Sequence, residues 1–119
     1  MKLSHINLTV IDAQETRKVL EKYFGLRSME GTKEDDTFIG LLDDEGFVLT
    51  VMQGSKTAEV SYPAGFHIGF LKRSEEEVIR IYQLLKNDGF YVKPPRHSRG
   101  PGLDFYFNLP GGFMIQVSS

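Results

Sequence analysis

Residues 3–10 read LSHINLTV and residues 65–72 read GFHIGFLK, so that His5-Ile6 returns as His67-Ile68. Downstream, Gly46-Phe47 in EGFVLTV (45–51) returns as Gly112-Phe113 in GGFMIQV (111–117). Between each pair of landmarks the signals come in the same order: a strand, a capped amphipathic helix, a glycine stop, then strands joined by a tight glycine turn. A repeat of about half the chain means one supersecondary module used twice. Module one is expected over 3–52 and module two over 65–118, with 53–64 (QGSKTAEVSYPA) as an aperiodic linker inside a single 1–119 domain. Two modules related by pseudo-symmetry are expected to set equivalent residues around one shared cavity.

Within module one, Ile6, Leu8 and Val10 alternate with His5, Asn7 and Thr9, the pattern of a strand with one buried face. Asp12 followed by Glu15 is a capping box. Thr16, Val19, Leu20, Tyr23 and Phe24 form a helical apolar stripe, and Gly25 closes it. Strands are expected at 26–30, 37–42 and 47–52, the last two joined by Asp43-Asp44-Glu45-Gly46. Module two repeats this with a strand at 66–72 and a Ser74/Glu77 capping box. Its helix runs to about Asp88 with Val78, Ile81, Tyr82 and Leu85 inward, and Gly89 is the stop. Strands follow at 90–93, 103–109 and 113–118, the last two joined through Pro110-Gly111-Gly112. The intervening loop PPRHSRGPG (94–102) reads as exposed and mobile.

The fold class is therefore α+β: two βαβββ modules, a curved, mixed, mostly antiparallel sheet around a cup-shaped cavity, and the helices outside. Composition bounds the function. The 119 residues carry 14 basic and 16 acidic side chains, a net charge of −2, which gives no footprint for nucleic acid or a membrane surface. The absence of cysteine excludes disulfides, thiolate zinc sites and thiol catalysis. The N-terminus lacks the apolar core of a signal peptide and no apolar run reaches membrane-spanning length, so a soluble cytoplasmic protein is expected.

Because side chains alternate, the residues between the inward-facing apolar ones point away from the helices. They include His5, Asn7, Thr50, His67 and Gln116. Two histidines at equivalent positions suit paired imidazole ligation of a divalent metal, or else two polar groups on an open sheet face. Gln116 offers a neutral oxygen to a metal, or a hydrogen bond to a ligand or a neighbouring strand. Thr50 is a good strand former and a poor ligand. Asp104, Tyr106 and Asn108 alternate with Leu103, Phe105, Phe107 and Leu109, so they either face the cavity, where Tyr106 would donate a hydrogen bond to a substrate oxygen, or form an exposed polar strand face. Arg96, His97 and Arg99 form a basic loop that either closes over an anion or is simply solvated. Phe38, Leu71, Met52 and Met114 supply apolar wall beside the polar positions, or core and dimer contact.

Paired βαβββ modules with a histidine near the start of each resemble the vicinal oxygen chelate superfamily, which includes glyoxalase I, fosfomycin and bleomycin resistance proteins and extradiol dioxygenases. The resemblance spans Leu3 to Val117. It implies metal-ligand positions at mid-strand residues of the first and last strand of each module, here His5, Thr50, His67 and Gln116. The family's last strand usually carries a glutamate; this chain has LPGGFMIQV with Gln116 there. Thr50 stands where glyoxalase I has a second carboxylate, which argues against a straightforward glyoxalase I. The resemblance also implies a homodimer.

Three readings follow. In the first, His5, His67 and Gln116 hold a divalent cation (Zn, Ni, Mn or Fe), and a small oxygen-rich molecule is contacted by Asn7, Thr50, Arg96, His97, Arg99, Tyr106 and Asn108. Tyr106, His97 or a metal-bound hydroxide would then be the base. In the second, a metal-free cup binds and sequesters a small molecule, in the manner of bleomycin resistance proteins. In the third, the cup is only structural. A carboxylate at residue 116 would favour metal, so Gln116→Glu is expected to raise affinity for divalent cations.

Overall fold

The computed structural model describes residues 1–55, 59–98 and 100–119. Arg99, one of the predicted loop residues, lies outside the described residues. The elements run β1 (His5–Val10), α1 (Ala13–Phe24), β2 (Arg27–Ser28), β3 (Phe38–Leu42), β4 (Val48–Gln53), β5 (His67–Leu71), α2 (Glu75–Asn87), β6 (Asp104–Asn108) and β7 (Met114–Ser118). The chain forms two compact units. One is Met1–Ser61 with Pro110–Gly112; the other is Tyr62–Leu109 with Phe113–Ser119. Each is α+β with a sheet of its own, ordered β1-β4-β3-β2 in the first and β5-β7-β6 in the second.

The two helices begin and end as their sequences require. Asp12 Oδ1 accepts from the Glu15 amide at 3.1 Å. The Glu15 carboxylate does not complete the capping box; it turns outward to Lys18, one helical turn on, at 3.4 Å. Ser74 Oγ accepts from the Glu77 amide at 3.3 Å, while the Glu77 carboxylate reaches back to the Arg73 amide at 2.9 Å. Gly25 and Gly89 take φ of 71° and 92°, the left-handed conformation that a side chain disfavours, and end α1 and its successor. Beyond Gly89, the Phe90 amide bonds back to the Leu85 carbonyl at 3.0 Å.

The parallel pairing of β1 with β4 sets Asn7 beside Thr50, and the antiparallel pairing of β3 with β4 sets Gly40 on the other side of Thr50. The second unit repeats this register, with Gly69 beside Gln116 and Tyr106 beyond it. The apolar faces bury as expected. Leu8, Val10, Ile39, Leu41, Leu49 and Val51 lie under Ala13, Leu20 and Tyr23 of α1. Phe105, Phe107, Ile115 and Val117 lie under Val78, Ile81 and Leu85 of α2. Each Leu, Ile or Phe so buried contributes roughly 1.5–3 kcal/mol of transfer free energy.

Two expected strands differ. The 26–30 strand shortens to Arg27–Ser28, because Met29 starts a turn in which its carbonyl accepts from the Thr32 amide and hydroxyl at 3.2 and 2.6 Å. The 90–93 strand does not form. Pro94 and Pro95 follow it without amide hydrogens to give a ladder, and among the described residues a single bridge just beyond them, Arg96 to Asp104, ties the chain to β6. The loop 94–102 is mostly exposed among its described residues, yet it is fastened. Arg96 exchanges backbone bonds with Asp104 at 2.9 Å, and His97 Nδ1 donates to the Gly102 carbonyl at 3.0 Å.

Candidate ligand site in the second module

The second unit contains a cavity of about 660 Å³ lined by β5, β6, β7 and the 91–96 segment. His67, Tyr106, Asn108 and Arg96 are sequence-predicted residues that it brings together. Asp104, named with Tyr106 and Asn108 in the sequence, also lines it, and the fold adds Lys93 and Tyr91. Met114 supplies apolar wall, as expected. A mostly apolar concavity with a few convergent polar groups is what a small-molecule site requires.

His67 stands on the exposed side of β5, an edge strand. Its Nδ1 donates to the Gly65 carbonyl at 2.8 Å, which fixes the tautomer and leaves Nε2 with a free lone pair. The Tyr106 ring meets it edge-on, 5.5 Å between centroids at 87°. Gln116 lies on β7, half-buried, and its Nε2 donates to Asp104 Oδ2 at 3.0 Å. A carboxylate only accepts, so the amide NH₂ faces Asp104 and Oε1 is turned elsewhere. Asp104 is 6% exposed. Its Oδ1 accepts from the Ser98 amide at 3.3 Å and from the Ser98 hydroxyl in a short bond. Burial by itself would raise the Asp104 pKa; the hydrogen bonds from Ser98 and Gln116, with the nearby Arg96 charge, outweigh it and hold the carboxyl below its ordinary value.

That depression has a consequence for stability. A carboxyl whose folded value lies below its unfolded value stabilises the fold above the unfolded value, and the contribution is lost as pH falls through the folded one. Asp104→Asn is therefore expected to destabilise the protein near neutral pH, and the difference from the parent should narrow in acid. Thermal melts of both proteins at about pH 6 and about pH 3 check this; a gap that stays constant or widens would remove Asp104 as a native-state anion.

The remaining predicted residues are placed as follows. In the first unit, His5 is exposed with Nδ1 2.9 Å from Ser4 Oγ, again leaving Nε2 open. Thr50 Oγ1 donates to Asn7 Oδ1 at 2.7 Å, so these two satisfy each other on the open face of that sheet. Phe38 and Met52, 57% and 39% exposed, occupy the same sheet at neighbouring register positions. His97 is not a lining residue; its Nδ1 bonds the Gly102 carbonyl within its own loop, and its Nε2 lies 4.0 Å from Glu75 Oε1 at the start of α2. Among the described residues no three His, Asp or Glu side chains cluster as a metal site. In the second unit the donors that suit a divalent cation are neutral: an open Nε2 on His67, and Gln116 Oε1.

The model of the Glyoxalase/Bleomycin resistance protein/Dioxygenase superfamily matches residues 2–117. The chain belongs to this superfamily. A solved structure from Bacillus cereus described as a possible glyoxalase superimposes with a TM-score of 0.88 at 46% identity, covering 100% of this chain and 99% of that one. The fosfomycin resistance protein FosX of Listeria innocua is 32% identical over 111 residues, 88% of this chain and 79% of that protein. A variant of Listeria monocytogenes FosX, solved with Mn(II) and 1S,2S-dihydroxypropylphosphonic acid, is 26% identical with a TM-score of 0.76, covering 99% of this chain and 91% of that one. Membership confirms the resemblance drawn from the doubled His-Ile strand. Among the described residues no helix is long and apolar enough to cross a membrane.

Proposed function

We propose that this superfamily member acts on a small, oxygen-rich anion with the help of a divalent cation. The observation that carries the reading is His67: its tautomer is fixed by Gly65, its Nε2 is open, and it shares a cavity with Lys93, Arg96, Tyr106 and Asn108. Lys93 and Arg96 give the cavity rim two positive charges, which favour an anionic ligand. Tyr106 and Asn108 donate hydrogen bonds to its oxygens, while Met114 supplies apolar wall. His67 and Gln116 of the second unit are proposed as cation donors. A bound cation would supply Lewis-acid polarisation of substrate oxygens. Tyr106 remains the candidate proton-moving group. The FosX variant holding Mn(II) and a diol phosphonate supports both the metal and the ligand class. A cytoplasmic homodimer belongs to the same reading.

One feature favours a second reading, metal-free sequestration: the proposed donors are all neutral, and a neutral set compensates a dication poorly. Calorimetric titration separates the two. Mn²⁺ is titrated into metal-free protein, then a small phosphonate into the metal-free and loaded forms. The proposal expects Mn²⁺ to bind and to tighten phosphonate binding at least tenfold. Phosphonate binding that is indifferent to Mn²⁺ would establish the sequestering reading. Binding of neither would sink both.

A further inference from the structure

We propose that Asp104 is a positioning residue that fixes the Gln116 carboxamide in one orientation and makes glutamine, rather than glutamate, the residue that suits position 116. Asp104 is buried, and every hydrogen bond the structure gives its carboxylate is accepted: Ser98 on Oδ1, Gln116 on Oδ2. The amide that faces it must present NH₂, so Oε1 is the atom left for a ligand or cation. That oxygen lies over Gly69, 3.8 Å from where a β-carbon on Gly69 would stand, on the strand that carries His67 two residues earlier.

Two consequences follow from the register. Tyr106 is directly opposite Gln116, and Asp104 is its diagonal neighbour on the same strand. The negative charge that the superfamily's usual glutamate would bring to β7 is therefore present one strand over, on β6, and it acts on the site through the amide. A glutamate at 116 would meet the Asp104 carboxylate across the 3.0 Å that now separates Nε2 from Oδ2. Two carboxylates at that separation repel each other and have no donor between them, so the glutamate would swing away from Asp104. Asp104 thus revises the expectation for Gln116→Glu, whose gain in cation affinity is reserved for a background in which residue 104 is neutral. The same carboxylate also holds the Ser98 amide and hydroxyl, while the Asp104 backbone exchanges bonds with Arg96, so one residue ties both the amide and the segment at the cavity rim.

The metal arm of this inference rests on the function proposed above; the amide orientation does not. The test combines side-chain ¹⁵N NMR of the metal-free chain with Mn²⁺ affinities by EPR for the parent, Asp104→Asn, Gln116→Glu and the double variant. Slow exchange of the Gln116 amide protons is expected in the parent and fast exchange in Asp104→Asn, whose own NH₂ turns the glutamine over. Mn²⁺ affinity should fall about tenfold in Asp104→Asn, at the low end for losing a partner that orients a ligand. It should recover at least to the parent value in the double variant, where a symmetric carboxylate needs no orienting; a general loss of packing would not be rescued in this way. Unchanged amide exchange in Asp104→Asn overturns the proposal, as does parental Mn²⁺ affinity in that variant. A parent that binds no Mn²⁺, with the amide still released by Asp104→Asn, sinks the metal reading and leaves the positioning role standing. Should Asp104→Asn fail to fold, the parent decides alone: Gln116 protons exchanging at the rate of a free side-chain amide overturn it.

Discussion

His67→Ala should lose at least about a hundredfold in Mn²⁺ affinity, a loss at or beyond the upper end of that seen for residues that merely orient a ligand. It should do so with little change in stability. His67 is exposed on an edge strand, and its polar contact is an exposed bond to the Gly65 carbonyl. Surface replacements of this kind shift stability by about 0.5 kcal/mol or less. The Tyr106 ring loses its edge-on neighbour, which adds a small cost of the order of 0.5–1.5 kcal/mol at most. The measurement is paired: Mn²⁺ titration and urea denaturation of parent and variant. Parental Mn²⁺ affinity in His67→Ala would remove His67 from any cation site. A large loss of stability would instead mean that the histidine holds the strand edge, and the binding result would then say nothing about ligation.

What the sequence disclosed and what it hid divide along a physical line. His67 was legible because the alternation that turns Phe66, Ile68 and Phe70 to one face, where they are half-buried, obliges residue 67 to face the other way, and because His5 repeats the pattern. The helix caps were legible because an Asp or Ser oxygen three residues before a backbone amide is a local geometry. Missing were contributions that arise only when distant segments fold together. Lys93 reaches the cavity because its segment stays off the sheet, and the signal for that is Pro94-Pro95, which have no amide hydrogens to give a ladder. The role of Asp104 depends on Ser98 folding back across six positions and Gln116 arriving from twelve positions away, and alternation along β6 does not encode either. His97, promoted by its loop, pairs with Glu75 and Gly102 instead of lining the cavity.

Phe107→Ala should have the opposite signature, a stability loss of about 3–5 kcal/mol with the binding chemistry of the folded fraction preserved. Phe107 is 1% exposed. It meets Phe90 edge-on at 5.3 Å and 87°, and on β7 it pairs with Ile115, itself fully buried. The core of the second unit thus loses a side chain that nothing nearby is free to replace, and such a void is costly because the surroundings relax only in part. Since domains of this size are typically stable by about 5–15 kcal/mol, the variant would sit near the edge of folding at moderate temperature. Tyr106 and Asn108 flank Phe107 on β6 and point to the opposite face, so the cavity keeps its chemistry wherever the strand remains paired. Urea denaturation reads the loss, and the number of Mn²⁺ or phosphonate sites per chain should fall with the folded fraction while the dissociation constant stays put. Phe107→Leu, which keeps most of the volume, should cost less than about 1.5 kcal/mol. A loss below about 1 kcal/mol in Phe107→Ala would mean that the packing of β6 on the Phe90 turn is not what holds the cavity-bearing strand in place.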